Sequence, residues 1–329
     1  MVEINLPDDL VDLIGENVLP PVRCPDGFGL FHDLPSTVEM ISMSTTASTR
    51  ECSVDAPRNR WFGIDFSGDK RKWSPGCSKS NVWIAELRSS EGALRLADLR
   101  QVQKLQGAGS PFERLASLLS SCDFQAAGID APFSVPETFL PEGGHKALLD
   151  LVKKLSAEDA FPTAETFANA VIAGRKMASP KPLRSTEQTW RRKGLNVRST
   201  LWTRARGGAA MTAACLSLLS KTGCPIWPWK TNGPGLLVEA FPAAQLKQWK
   251  LPFQQYNQPD ELGSANRKEI VSSLGDLRLE IGNFTPLLRS SADALDAVLC
   301  AFAAKGVSDG KLAEKIATVD DEGLIAVHV

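Results

Sequence analysis

Short apolar runs that break off on an acid recur along this chain, and no other feature restricts its fold as much. RWFGIDFSG reaches Asp65, FQAAGIDAPF reaches Asp130 with Pro132 just behind it, and GLLVEAF carries Glu239. Runs of this length bounded by turn residues read as buried strands. Between the first two, PFERLASLLSSC places Phe112, Leu115, Leu118 and Leu119 at helical spacing behind an initial Pro111, where proline suits a first helical turn. Strands alternating with helices make an α/β unit whose strand ends open onto a crevice. The expected fold class is therefore α/β. NVWIAELRS supplies a second strand, and ALRLADLRQV, with Leu94, Leu96 and Leu99, supplies a third in an antiparallel meander or else a helix.

From about Pro136 to Gly235 this regularity is interrupted by HKALLDLVKKL, AETFANAVIAGRK and GGAAMTAACLSLLSKTG, which read as helices, so residues 136–235 form a mostly α insertion. PAAQLKQWK after Glu239 and NRKEIVSSLGDL read as further helices. The segment Ser291 to Lys305 is the clearest amphipathic helix, with Leu295, Val298, Leu299 and Phe302 on one stripe and Gly306 as its stop. GLIAVHV reads as a final strand. Residues 1–60 differ in kind: ten acids stand against four basic residues, a net of −6, with a short amphipathic piece at Asp8 to Ile14 and a linker-like SMSTTASTR. The boundary falls near Arg60, leaving residues 61–329 as one α/β domain.

Composition excludes several classes of function. Apolar residues make up 43% and charged residues 23% of the 329, as in ordinary soluble domains. No apolar run approaches the roughly 20 residues that span a bilayer, and the acidic start lacks a secretory signal, which points to the cytoplasm and away from membranes. Seven cysteines without C-x-x-C spacing read as reduced thiols. His32, His145 and His328 are isolated, so nucleophilic hydrolase chemistry has little material. GxGxxG and GxxxxGK[ST] are both absent.

The acids carry the chemistry. Asp65 follows Gly-Ile at a strand end, and Ser67-Gly68 behind it leaves room for a phosphate to approach the backbone. Asp130 follows the same Gly-Ile. Asp293 and Asp296, three apart near the start of a helix, repel each other unless a cation lies between them, although acids there also complement the helix dipole. Glu239 between Val238 and Ala240 is costly to bury without a partner, which favours a ligand role. Hard cations such as Mg²⁺ take carboxylate oxygen from few protein ligands. Between Arg175 and Arg206 ten basic residues face a single acid, Glu187, for a net of +9. With Trp190 and Trp202 among Arg191, Arg192, Lys193, Arg198, Arg204 and Arg206, this stretch reads as a nucleic-acid interface, its arginines on phosphates and its indoles on bases. The acidic residues 1–60 would then fold over it and screen it.

GIDFSG, IDAPFSVP, VEAFPAA and DALDAVLCAFAA…DEGLIAV together resemble the family catalogued as domain of unknown function 429, regarded as a predicted nuclease with an RNase H-like fold. The resemblance covers both ends of residues 61–329. It implies a central mixed sheet with three antiparallel strands first, flanked by helices, and metal-holding acids at Asp65, Asp130, Asp293 and Asp296, with Glu239 a weaker transfer. Like Holliday-junction resolvases, such a site would hold two Mg²⁺ or Mn²⁺ ions and hydrolyse nucleic-acid phosphodiesters. Two rivals stand beside this expectation. One is a non-catalytic nucleic-acid-binding protein. The other is an actin-like ATPase or sugar kinase relative, to whose first phosphate loop DFSGDKRK is similar.

Overall fold

A computed structural model describes residues 59–156, 161–179, 181–313 and 321–329. The readings of Asp8 to Ile14, of the SMSTTASTR linker and of the acidic cover lie outside the described residues.

The chain enters a six-stranded mixed sheet through β1 (Arg60–Asp65), turns back in β2 (Trp83–Ser90) and again in β3 (Ala93–Gln101). β4 (Ala126–Ile129) and β5 (Leu236–Glu239) add to the other side of β1, and β6 (Leu279–Glu280) lies outside β3, giving the order β5-β4-β1-β2-β3-β6. β1, β2 and β3 pair antiparallel, whereas β4 runs parallel to β1 and β5 parallel to β4.

ALRLADLRQ is thus a strand, and the turn before it explains why. Glu91 and Gly92 both adopt positive φ, 54° and 83°, the two-residue hairpin geometry that matches strand twist. The break in its leucine alternation is a bulge: Glu86 pairs with Asp98 but Leu87 with Leu96, so Ala97 is the extra residue. That extra residue returns Leu99 to the face shared by Leu94 and Leu96.

Helices cover both faces. On one side lie α1 (Pro111–Ser120), α2 (Gly144–Leu155), α3 (Ala164–Ile172) and α5 (Ala209–Thr222), whose Phe112, Leu148, Phe167 and Leu216 bury with Phe62, Ile64 and Ile129. α1 starts on a capping box in which Ser110 and Glu113 satisfy each other's backbone N–H groups. The 136–235 stretch is helical as expected, and α5 within it belongs to the core of the sheet domain. α4 (Ser185–Arg192) had no sequence signal of its own.

On the other side lie α6 (Pro242–Gln248), α7 (Glu261–Asp276), α8 (Thr285–Ser290) and α9 (Ala292–Ser308). α9 carries the expected stripe, but nearly every residue from Ala294 to Ala304 is buried, so it is a core helix rather than an amphipathic one. Gly306 does not stop it. A side chain there would come within 3.1 Å of His328, so this glycine admits the C-terminal segment. That segment makes single bridges, Ala240 with Ala326 and Leu312 with His328, in place of the expected full strand. No helix among the described residues is long and apolar enough to cross a membrane.

Candidate metal centre

Two glycines bring the acids together. Gly63 and Gly128 are register partners in the parallel pair β1–β4, as are Ile64 and Ile129. A Cβ on Gly63 would stand 1.9 Å from the carbonyl oxygen of Ala297, and one on Gly128 2.0 Å from that of Cys300. Only hydrogen at both positions lets α9 rest directly on the two strands. Asp65 and Asp130, two residues further on, share the α9-facing side of the sheet by strand alternation, and Asp130 donates its N–H to Ile64 O at 2.9 Å. α9 answers with Asp293 and Asp296 in its first turns, behind the Ser291 cap.

The acids sense one another. Burial raises Asp65 well above the usual carboxylate range, and repulsion from Asp296, Asp130 and Asp293 raises it further. Burial does the same to Asp296, assisted by Asp130 and Asp293 and opposed by the hydroxyl of Tyr256. Asp130 is pushed up to about 7 by burial, with Arg198 pulling it down and Glu239 up. Burial also raises Asp293, against the pull of Lys72. A hard cation reverses this penalty by favouring the ionised forms.

Tyr256 had no sequence signal, since it sits in a polar loop without periodicity. Its hydroxyl donates to Asp296 Oδ1 at 2.8 Å, and its burial together with the adjacent Asp296 holds its own proton well above the ordinary phenol range. The loop is fixed from behind by the buried Arg267, which donates to the carbonyls of Tyr256, of Gln258 at 2.9 Å and of Arg289 at 2.9 Å. Asp130, Asp296, Tyr256 and Arg198 open onto one cleft of about 580 Å³.

Among the described residues, no three carboxylate, imidazole or thiol side chains are turned closely enough toward one point to enclose an ion. In donor chemistry the set fits a divalent cation: four carboxylates from three elements, all raised by burial and none tied to an internal guanidinium as Glu239 is. Asp65, Asp130, Asp293 and Asp296 are the residues that could hold one.

Glu239 leaves this set. Ile129 is its register partner on β4, so it faces the sheet side opposite Asp65 and Asp130, and Ala240 occupies the position equivalent to theirs. Its Oε1 accepts from Arg184 Nη2 at 2.5 Å, and its Oε2 accepts from Arg184 Nη1 at 2.8 Å and from Phe133 N at 2.9 Å. Arg184 also meets Glu187 at 3.0 Å. Burial works against the guanidinium charge, but Glu239 and Glu187 outweigh it and raise the arginine pKa, while burial pushes Glu187 up to about 7. Glu239 is therefore a structural ion-pair partner.

The basic stretch divides. Arg191, Arg192, Lys193, Arg198, Arg204 and Arg206 are exposed, whereas Arg184 is buried. Trp190 is only 1% exposed, packed with Leu195, Ala244, Ile325 and Val327, so it cannot stack on bases as the sequence suggested. Trp202 is half-buried with Lys181 Nζ 3.9 Å from its ring centre. Gly68 has a packing role. The place of a Gly68 Cβ is filled by the backbone of Ala210 and Met211, 2.4 Å away at its nearest, so this glycine serves the close approach of α5.

No curated protein and no solved structure matches the chain. Residues 63–321, the stretch that carries all four clustered aspartates, match the family described as "Protein of unknown function (DUF429)", and the chain belongs to that family.

Proposed function

We propose that this protein is a metal-dependent nuclease of RNase H-like fold, and the observation that carries the reading is the convergence of Asp65, Asp130, Asp293 and Asp296 from the ends of β1 and β4 and the first turns of α9. The strand order, three antiparallel strands followed by two parallel additions beside the first, supports the fold assignment. A buried Asp65 raised by Asp296, Asp130 and Asp293, themselves half-buried, has little structural use, since a core gains more from apolar side chains of similar volume.

Asp65, together with Asp130 and Asp296, would hold Mg²⁺ or Mn²⁺, two ions in all, with Asp293 completing the set. Bound ions of this kind supply an activated water and stabilise the leaving oxygen of a phosphodiester. Arg198, at the cleft and in electrostatic reach of Asp130, is placed to bind a phosphate oxygen. Exposed Arg191, Arg192, Lys193, Arg204 and Arg206 extend that cationic surface along the strand. Tyr256 orients Asp296 through its hydrogen bond.

The test is incubation of the purified protein with single- and double-stranded DNA and RNA in Mg²⁺ or Mn²⁺. Cleavage is expected, with Asp65→Asn and Asp296→Asn abolishing turnover while nucleic acid still binds. A protein that binds but never cleaves, with both variants indistinguishable from wild type, is the non-catalytic binding module instead.

A further inference from the structure

The cleft beside Asp130 and Asp296 has a lining that the phosphodiester reading does not use. Next to the acids and Arg198 it presents carboxamides: Asn196 from the α4–α5 connection, and Gln254, Gln255 and Asn257 from the loop that carries Tyr256. All four residues are exposed. A solvated loop also collects such residues, but this one is neither loosely held nor relaxed. Arg267 grips its backbone from the buried side at Tyr256 and Gln258. Gln255 itself sits at φ +62°, with Lys250 at +61° on the way in. A left-handed conformation at a residue with a side chain is strained and persists where the surroundings impose it. Here it lies within the amide run, beside a proposed metal ligand.

Carboxamides offer a donor and an acceptor side by side, the pattern that pairs with a nucleobase edge. A cleft of about 580 Å³ is within the range of pockets that enclose one small ligand. In a duplex the Watson–Crick edge of a base is already occupied and the ring is stacked, so it can present that edge to the amides only when unpaired and turned out. Phe241 and Phe253 add apolar surface to the same lining. We propose that this cleft receives one unpaired nucleobase, read by Asn196, Gln254, Gln255 and Asn257, so that the substrate is single-stranded nucleic acid bound with the base beside the scissile phosphate. This deepens the nuclease reading and rests on it for the place of the phosphate.

The test measures binding without chemistry. Fluorescein-labelled 12-nucleotide homopolymers of each base and a mixed-sequence duplex are titrated with the full chain in a chelator, followed by anisotropy. Wild type is expected to favour single strands over duplex and one base over the others by about tenfold, the size of one good amide–base pair. Gln254→Ala/Gln255→Ala should level the bases while keeping the melting temperature. Asn257→Ala, made separately, should reduce the same preference if the double variant does not fold. Duplex bound as tightly as single strands, equal affinity for all homopolymers, or preference intact in the folded variants overturns this inference and leaves the nuclease reading standing. No binding to any nucleic acid overturns both. Base-selective binding by a protein that never cleaves in Mg²⁺ or Mn²⁺ supports the pocket and sinks the nuclease.

Discussion

Two groups of buried and half-buried acids lie on opposite faces of one sheet, and they meet the cost of desolvation in opposite ways. On the α5 side, Glu239 and Glu187 close on the guanidinium of Arg184, so charge is balanced within the protein. On the α9 side, Asp65, Asp130, Asp293 and Asp296 have one another as neighbours, and all four are raised despite Lys72 and Arg198. Burial of an acid is thus not the mark of a site. What separates the two groups is whether the fold supplies a hydrogen-bonded guanidinium, and in the proposed reading the α9 group takes its compensating cation from outside.

The contrast can be broken physically by prising α9 off the sheet. Gly63→Ala and Gly128→Ala drive a methyl into helix backbone at 1.9 and 2.0 Å. Each is expected to cost about 3 kcal/mol or more in urea unfolding, at the upper end of overpacking, or to prevent folding. A loss under about 1 kcal/mol would mean that α9 does not seat on these glycines.

The electrostatic half of the contrast predicts opposite signs. Arg184→Leu strands two buried carboxylates and should destabilise by about 3–5 kcal/mol. Asp296→Asn relieves repulsion, so in chelator its melting temperature should equal or exceed that of wild type. A drop comparable to that of Arg184→Leu would show the α9 acids to be structural.

A smaller effect follows from pH. Asp130 moves from 3.8 to about 7 on folding, so the folded chain holds a proton that the unfolded chain has released. In chelator, stability should therefore fall as pH climbs from about 4 to 7, with the Asp130 contribution complete above that, because the native state binds more protons throughout that window. Asp130→Asn should make this slope shallower, leaving the share due to Asp65 and Asp296. An unchanged profile of melting temperature against pH would contradict the assignment.

Much of this was legible in the chain. Apolar runs and turn residues marked four of the six strands and left β3 open between strand and helix, and the order of the acids singled out the four aspartates. Glu239 misled because strand-end position says nothing about parity: its register partner is Ile129, and the equivalent of Asp130 is Ala240. The glycine two residues before Asp65 and Asp130 was a readable sign, since a repeated glycine inside a buried strand marks close approach of another backbone. Trp190 misled for a different reason. Net charge over a segment does not reveal which side of α4 meets the core, and there an indole lies buried while the next two residues, Arg191 and Arg192, are exposed. Tyr256 is positioned by Arg267 through backbone carbonyls, a contact with no sequence pattern.

The most direct test of the central claim is a calorimetric titration of Mn²⁺ into wild type, Asp65→Asn and Asp296→Asn at neutral pH. Wild type should bind, with protons released as the raised carboxylates ionise, and both variants should lose most of that affinity while remaining folded. No heat from wild type, or the same isotherm from all three, would contradict the claim that this acid cluster awaits a cation.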